Sequence, residues 1–297
     1  MIGDVCTEKA AVVALVRTRP RLRGWAELLA EHGSATALLE ELRGVDLGRP
    51  KLFNEEGPDM QALLDHASVD IARWEAAGIQ VLTVLDRDYP RNLRRLRGRP
   101  PLLFVAGELR PRDARSVAVI GSRRASRAGV DAARRISAHL AACGYTVVSG
   151  LAAGVDAAAH QAALAAEGRT VAVIGTGLRR CYPPENVALQ ETIAREGAVV
   201  SRFWPDDPPT RRSFPARNAV MSGMALATVI VEAGAASGAR LQARQALGQG
   251  RALFLLEPVL AQGWARELSS SPGTHVVRKP EEITEALRQL EAEAVPG

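Results

Sequence analysis

The residues best suited to chemistry lie in short runs where glycine, hydroxyl and arginine side chains come together. Gly121-Ser122-Arg123-Arg124-Ala125-Ser126 is the first. Glycine lets a backbone approach a ligand, serine donates a hydroxyl, and arginine forks onto phosphate oxygens. Ser149-Gly150-Leu151-Ala152-Ala153-Gly154, Gly175-Thr176-Gly177 and Glu232-Ala233-Gly234 followed by Ser237-Gly238 repeat the pattern. Glycine at any one strand–helix turn is explained by packing alone, but recurrence at several turns points to a rim that tolerates phosphate. Arg211-Arg212-Ser213-Phe214-Pro215-Ala216-Arg217-Asn218 sets basic residues around an aromatic ring. Cations along a backbone and rings under unpaired bases are what hold single-stranded nucleic acid. The same run also reads as a core plug, Phe214, with Arg217 capping a neighbouring helix.

Other chemistries find less support. Gly121 does not open a Gly-x-Gly-x-x-Gly turn for a dinucleotide, and no Gly-x-x-x-x-Gly-Lys-Ser/Thr loop offers itself to a nucleoside triphosphate. Asp156 and His160 fall one helical turn apart, but no nucleophile or further metal ligand joins them at a recognisable spacing. They read rather as an internal pair that orients the helix or its N-terminal loop. Glu232, at a strand end, could accept from backbone amides or from a ribose hydroxyl. Neither a cofactor nor a metal is expected.

These runs need a scaffold, and the hydrophobic pattern supplies one. Glu8–Arg17, Gly24–Glu31, Ala35–Leu42 and Asp59–Ala77 carry helical periodicity, with Arg43–Pro58 as a loop, so residues 1–78 are expected to form a small all-helical domain. Residues 79–297 then change rhythm. Ile79–Leu85, Leu102–Ala106, Val117–Ile120, Thr146–Ser149, Thr170–Ile174, Ala198–Ser201, Thr228–Val231, Ala252–Leu256 and His275–Val277 are short apolar runs, as in strands buried on both faces. Between the later ones lie helical segments: Ala128–Ala142, Val155–Glu167, Glu185–Glu196, Ala219–Leu226, Ala239–Gly248 and Glu281–Glu293. The expected fold class is α/β, a doubly wound, mostly parallel Rossmann-like sheet. In such a sheet ligands bind beyond the carboxyl ends of the strands, which is where the glycine and arginine runs fall.

Composition agrees with a globular chain: 297 residues, 47% hydrophobic and 24% charged. No apolar stretch is long enough for a membrane span, and Met1–Pro20 does not read as a signal peptide. Cys6, Cys143 and Cys181 are too few and too scattered for a disulfide framework or a Cys-x-x-Cys clip, so a cytoplasmic location is expected. The net charge is +5, which favours an anionic partner. Lys9, Lys51 and Lys279 are the only lysines among 38 basic residues. A GC-rich genome would explain that ratio, but not the position of the charge. Arg87–Arg135 holds 14 arginines against Asp88, Glu108, Asp113 and Asp131, a candidate footprint for phosphate.

Taken together, the motifs resemble the DprA/Smf family of DNA-processing proteins. The match runs in order through Asp88-Tyr89-Pro90 with Leu93, Pro101-Leu102-Leu103-Phe104, Val119-Ile120-Gly121-Ser122-Arg123 and Ser149 to His160. It continues through Gly175-Thr176-Gly177-Leu178 with Tyr182-Pro183, Phe214 to Asn218, and Val231-Glu232-Ala233 with Ser237-Gly238. The resemblance implies an extended Rossmann-like domain that binds single-stranded DNA, protects incoming strands, dimerises and helps to load the recombinase RecA during natural transformation. It implies no catalytic reaction. By position, Arg123 would contact phosphate, Phe214 would stack on a base, Arg211 would be a basic contact and Arg217 would line the same pocket. With the rim residues Gly121, Ser122, Arg124, Ser149, Gly150, Arg212, Asn218, Ser237 and Gly238, these form the candidate DNA-binding set.

The chain departs from the family pattern at Ser201-Arg202, at Glu257-Pro258-Val259, at Gly263-Trp264 and through Val277. Thr18 to Gly24 also lacks the glycines of a DNA-binding helical hairpin. Two other readings stay open: a DprA-like regulator or defence-system partner that senses DNA or nucleotides, and a nucleotide-hydrolysing enzyme using Glu232 and Asp156.

Overall fold

The computed structural model of the chain describes residues 2–18, 24–42, 60–234 and 237–293. The expected loop Arg43–Pro58 and the basic run Arg19–Arg23 lie outside the described residues. Helices come first: α1 (Ile2–Thr18), α2 (Trp25–His32), α3 (Ala35–Glu41) and α4 (Met60–Ala76). The middle of α1 is apolar all round, and Ala10 to Leu15 are buried without a break between α3, α4 and the sheet. Glu8 ties α1 to α3. Its carboxylate accepts from Ser34 Oγ at 2.6 Å and from the Ala35 amide at 2.5 Å, while Ser34 caps α3.

The rest alternates: β1 (Ile79–Thr83), α5 (Arg91–Arg94), β2 (Leu102–Gly107), β3 (Ser116–Gly121), α6 (Arg127–Ala142), β4 (Thr146–Ser149), α7 (Val155–Ala165) and β5 (Thr170–Val173). Then follow α8 (Val187–Glu196), β6 (Ala198–Ser201), α9 (Ser213–Met224), β7 (Ala227–Glu232), α10 (Gly238–Gly248), β8 (Ala252–Leu256), α11 (Gly263–Ser269), β9 (Thr274–Val277) and α12 (Pro280–Glu293). The strands form one 9-stranded sheet in the order β1-β2-β6-β5-β4-β3-β7-β8-β9. β1 and β2 pair antiparallel, as do β2 and β6. Every pair from β6 across to β9 is parallel.

The chain winds outward from β3 to β6, then returns to the other side of β3 to lay down β7, β8 and β9. The order therefore reverses between β3 and β7, the position at which doubly wound sheets bind ligands. Helices α6, α7, α8 and α12 form one layer, and α9 with α10 forms the other. Strands β4, β5 and β6 are buried at every position, as continuous apolar runs between two helical layers should be.

The N-terminal helices share the sheet's core. Trp74 of α4 meets Phe104 of β2 edge to face at 5.2 Å, and both rings contact Trp204. The Arg17 guanidinium lies 5.0 Å from the Trp204 ring centre, adding a cation–π contact at this joint. Among the described residues no helix is long and apolar enough to cross a membrane.

Two expectations are corrected. Helix α9 begins at Ser213 rather than Ala219, so the Arg211–Asn218 run is not a loop ahead of a helix but its first turns. Thr210 and Ser213 cap each other, each backbone amide donating to the other's hydroxyl, and Pro215 is tolerated in an opening turn that needs no intrahelical donor. Helices α5 and α11 add to the expected elements: α5 spans a single turn, Arg91–Arg94, and α11 spans Gly263–Ser269 in the stretch that departs from the family pattern. Finally, the basic segment does not fold into one patch. Asn92 donates to the carbonyls of Ala114 and Met224, which places α5 at the amino ends of β3 and β7. Arg110, Arg112 and Arg115 also precede β3, and only Arg123, Arg124 and Arg127 of this segment flank its carboxyl end.

Candidate nucleic-acid interface

The carboxyl ends of β3, β4, β5 and β6 carry the connections that build the rim. Those after β5 and β6 are laced together. The Gly177 amide donates to the Asp207 carbonyl and the Arg179 amide to the Pro205 carbonyl, both at 2.9 Å. This lacing delivers the start of α9 to the rim beside the Gly121–Ser126 loop. The outcome is a cation over an aromatic ring: the Arg123 guanidinium carbon lies 4.8 Å from the centre of the Phe214 ring. Phe214 in turn meets Tyr182, from the connection after β5, with ring centres 5.6 Å apart and planes at 52°. Gly175 makes room for this cluster, because a Cβ there would lie 2.9 Å from Phe214 Cδ1.

Around these rings the charge is open. Arg123, Arg124, Arg127, Arg180, Arg211 and Arg212 are exposed, and among the described residues none of them has a carboxylate partner. Ser122 shapes the loop, its hydroxyl accepting from the Arg124 amide at 3.1 Å. Guanidinium groups without an internal acid are free to exchange water for phosphate.

Beneath the rim is a buried layer. Arg217 lies one turn beyond Phe214 on α9 and points inward, only 4% exposed. It donates to the Val173 carbonyl at 3.1 Å and stands 3.9 Å from Asp156. Gly150 is glycine for this reason, since any Cβ there would collide with the Arg217 guanidinium. Asp156 gathers the rim from below, accepting from the amides of Gly150, Ala152 and Gly121. Burial pushes the Asp156 carboxyl up from its ordinary value, against the pull of Arg217 and those amides. His160, one turn further on, bonds through Nδ1 to Thr170 Oγ1 at 2.7 Å. Burial, with the Arg217 charge as a second cause, holds its imidazole down to about 3, so it stays neutral. The backbone above is also constrained. Leu151 adopts a left-handed φ of 57° while fully buried, and its carbonyl accepts from Asn186 Nδ2 at 2.9 Å.

The candidate set therefore divides. Gly121, Ser122, Arg123, Arg124, Gly150, Arg211, Arg212 and Phe214 gather at the carboxyl ends of the strands, with Asn218 half-buried on the next turn of α9. Arg217 and Ser149 do not line an open pocket. Ser149 is fully buried and donates to the Val119 carbonyl at 2.6 Å. Ser237 and Gly238 open α10 on the far side of β7, where the Ser237 hydroxyl accepts from the Ala239 amide.

Glu232 faces the crevice between β3 and β7, but its carboxylate accepts from the Ser126 amide at 3.0 Å and from the Ser126 hydroxyl. It thereby satisfies the N-cap amide of α6 and sets a negative charge at the helix N-terminus. Tyr182 is the rim residue missed by sequence reasoning. Its signal was an aromatic ring in a polar, glycine-led connection, which only its contact with Phe214 turns into part of a site.

Comparison with known proteins agrees with this architecture. The profile of the family described as DNA recombination-mediator protein A matches residues 80–288. The Smf protein of Synechocystis is 42% identical over 181 residues, covering 60% of this chain and 46% of that protein. DNA processing protein DprA of Streptococcus pneumoniae is 37% identical over 181 residues, covering 61% and 64% respectively. The chain thus spans only part of the length of these curated relatives. Among solved structures, S. pneumoniae DprA superposes with a TM-score of 0.66 at 30% identity, covering 84% of this chain and 90% of that one. A Helicobacter pylori DprA structure, described as showing the single-stranded DNA binding mode of that protein, gives 0.63 at 27% identity, with 71% and 96% covered. With the profile spanning the sheet and its rim, the chain belongs to the DNA recombination-mediator protein A family, the DprA/Smf DNA-processing proteins.

Proposed function

We propose that this chain binds single-stranded DNA along the rim without altering it covalently. Phosphates would lie against Arg123, Arg124, Arg211 and Arg212, and a base would lie at Phe214. The observation that carries this reading is the Arg123–Phe214 pair at 4.8 Å, set among arginines without acidic partners. An unpaired strand offers what such a pair takes, a phosphate and an accessible base face. Arg217, Asp156 and Ser149 support the rim from below rather than touching the strand. Asp156 and Glu232 are both engaged by the protein's own amides, which favours binding over catalysis. Protection of incoming DNA, delivery to RecA and a homodimeric state extend this proposal by analogy with the family.

The test is a salt titration of binding to oligo-dT, read by fluorescence anisotropy, with a duplex of equal length in parallel. Affinity should fall with log salt at about 0.7 per phosphate neutralised. Arg123→Ala should weaken binding to all sequences alike and flatten that slope by about 0.7. Equal binding by wild type and Arg123→Ala at low salt would remove the loop from the site.

A further inference from the structure

The chain has three tyrosines, and two are interior residues with hydrogen-bonded hydroxyls. Tyr89 donates to the Pro100 carbonyl at 2.8 Å, and Tyr145 donates to Glu291 at 3.1 Å. Tyr182 differs, with 43% of its surface exposed.

Its connection is built to hold it still. Thr176 Oγ1 donates to the Arg180 carbonyl at 3.2 Å and Gln190 Nε2 to the Leu178 carbonyl at 3.2 Å. Leu178 is buried between them. Asn186, just past the ring, is anchored on Leu151, and Arg179 pairs with Asp206 at 3.2 Å. A ring pinned on both sides at the rim is presented to the outside.

The two rings differ in what already covers them. Phe214 rests against Gly175, and Arg123 stands over it, so a base meets a cation-capped ring. Tyr182 offers an open ring. With centres at 5.6 Å and a tilt of 52°, the rings are too close to admit a base between them, and their outer surfaces diverge. Neighbouring bases of one strand would each take one ring. Arg123 stands over Phe214, and the exposed Arg180 precedes Tyr182 by two residues in the same connection, so each ring has a cation in its own neighbourhood.

We infer that Tyr182 is a second base-stacking platform, which receives the nucleobase adjacent to the one held at Phe214. This rests on the reading of the rim as a single-stranded DNA site. It makes the bound unit at least two consecutive nucleotides that bend around the aromatic pair.

The experiment uses the full chain and an oligo-dT series with a single abasic position moved along the strand. Tyr182→Leu keeps apolar packing against Phe214 but removes the platform, and Tyr182→Phe keeps the ring. Tyr182→Leu should weaken intact oligo-dT roughly 5- to 150-fold, and Tyr182→Phe should bind as wild type does. An abasic position that weakens wild type should cost Tyr182→Leu nothing further, whereas a neighbouring position should behave that way for Phe214→Ala. Unchanged thermal melting of Tyr182→Leu separates lost binding from lost folding. If Arg123→Ala weakens binding while Tyr182→Leu binds like wild type, or leaves the abasic profile unchanged, the inference about Tyr182 is overturned and the site stands. If wild type does not bind oligo-dT, the site itself falls, and this inference with it.

Discussion

The two ends of the parallel sheet treat arginine in opposite ways. At the amino ends, Arg169 is buried and grips Asp113 with two bonds, Nε to Oδ1 at 2.5 Å and Nη2 to Oδ2 at 2.8 Å. Asp113 also accepts from the Thr146 hydroxyl and the Arg110 amide, and nearby Arg115 forks onto Glu291 while stacking on Tyr145. At the carboxyl ends, Arg217 is just as buried but faces Asp156 at 3.9 Å, with its Nε unpartnered. Above it Arg123 has a ring under it and no acid. The same side chain is bound to its acid by two hydrogen bonds at one end and, at the other, stands beside its acid without one, beneath an unpaired cation. Asp156, beneath the rim, is buried and held by rim amides, while Glu232 is engaged by Ser126 and Asp206 by Arg179.

That contrast can be broken from either end. The largest effect is expected for Arg169→Ala, which leaves Asp113 buried without its cation. Removing one partner of such a pair costs about 3–5 kcal/mol, visible as a lower urea midpoint, and the folded fraction should bind oligo-dT unchanged. A parallel loss of DNA affinity would show that the two ends are coupled.

Arg217→Ala should cost less stability, about 2–3 kcal/mol, because its pair is not hydrogen-bonded. It should nevertheless weaken oligo-dT binding, since Gly150 and the first turns of α9 lose their support. Full affinity in a folded Arg217→Ala protein would make the buried layer irrelevant to the rim.

The smallest effect is set by pH. His160 is held down to about 3 in the folded chain against an ordinary 6.5. The unfolded chain therefore takes up a proton first as pH falls, and the folded state loses stability below about 6.5. Between pH 7 and 5 this amounts to about 2 kcal/mol. Asp156 works the other way, because its raised carboxyl favours the folded state as pH falls. The difference between wild type and His160→Gln in urea melts at the two pH values isolates the histidine. Parallel pH dependence in the two proteins would mean that the imidazole is not held neutral.

Much of the scaffold is legible in the sequence. The strands from β2 to β9 fall within a residue or two of their apolar runs, because a strand buried on both faces has no solvent side to interrupt it. The glycine-rich turns also fall at the carboxyl ends, because strand and helix alternate. The site was less legible at α9. Pro215 and the arginines around it read as loop, and a loop would leave Arg217 free. Once the helix starts at Ser213, the period of 3.6 places Arg217 on the stripe of Ser213, Val220, Met221 and Met224, all of them buried. The inward turn of Arg217 thus follows from one cap that local propensity did not reveal.

By itself, the sequence determined the alternation of strand and helix, the direction of the sheet and the end at which a ligand would sit. These follow from periodicities and turn residues that act over a few positions. Only the tertiary structure decided which charges face outward. Arg87–Arg135 is one basic run along the chain, yet its members separate to opposite ends of the sheet, because β2 and β3 carry them past each other. Arg123, Tyr182 and Phe214 lie far apart in sequence and meet because the connections after β3, β5 and β6 converge at one rim. Contacts of that kind depend on strand order, and strand order is set by packing across the whole sheet.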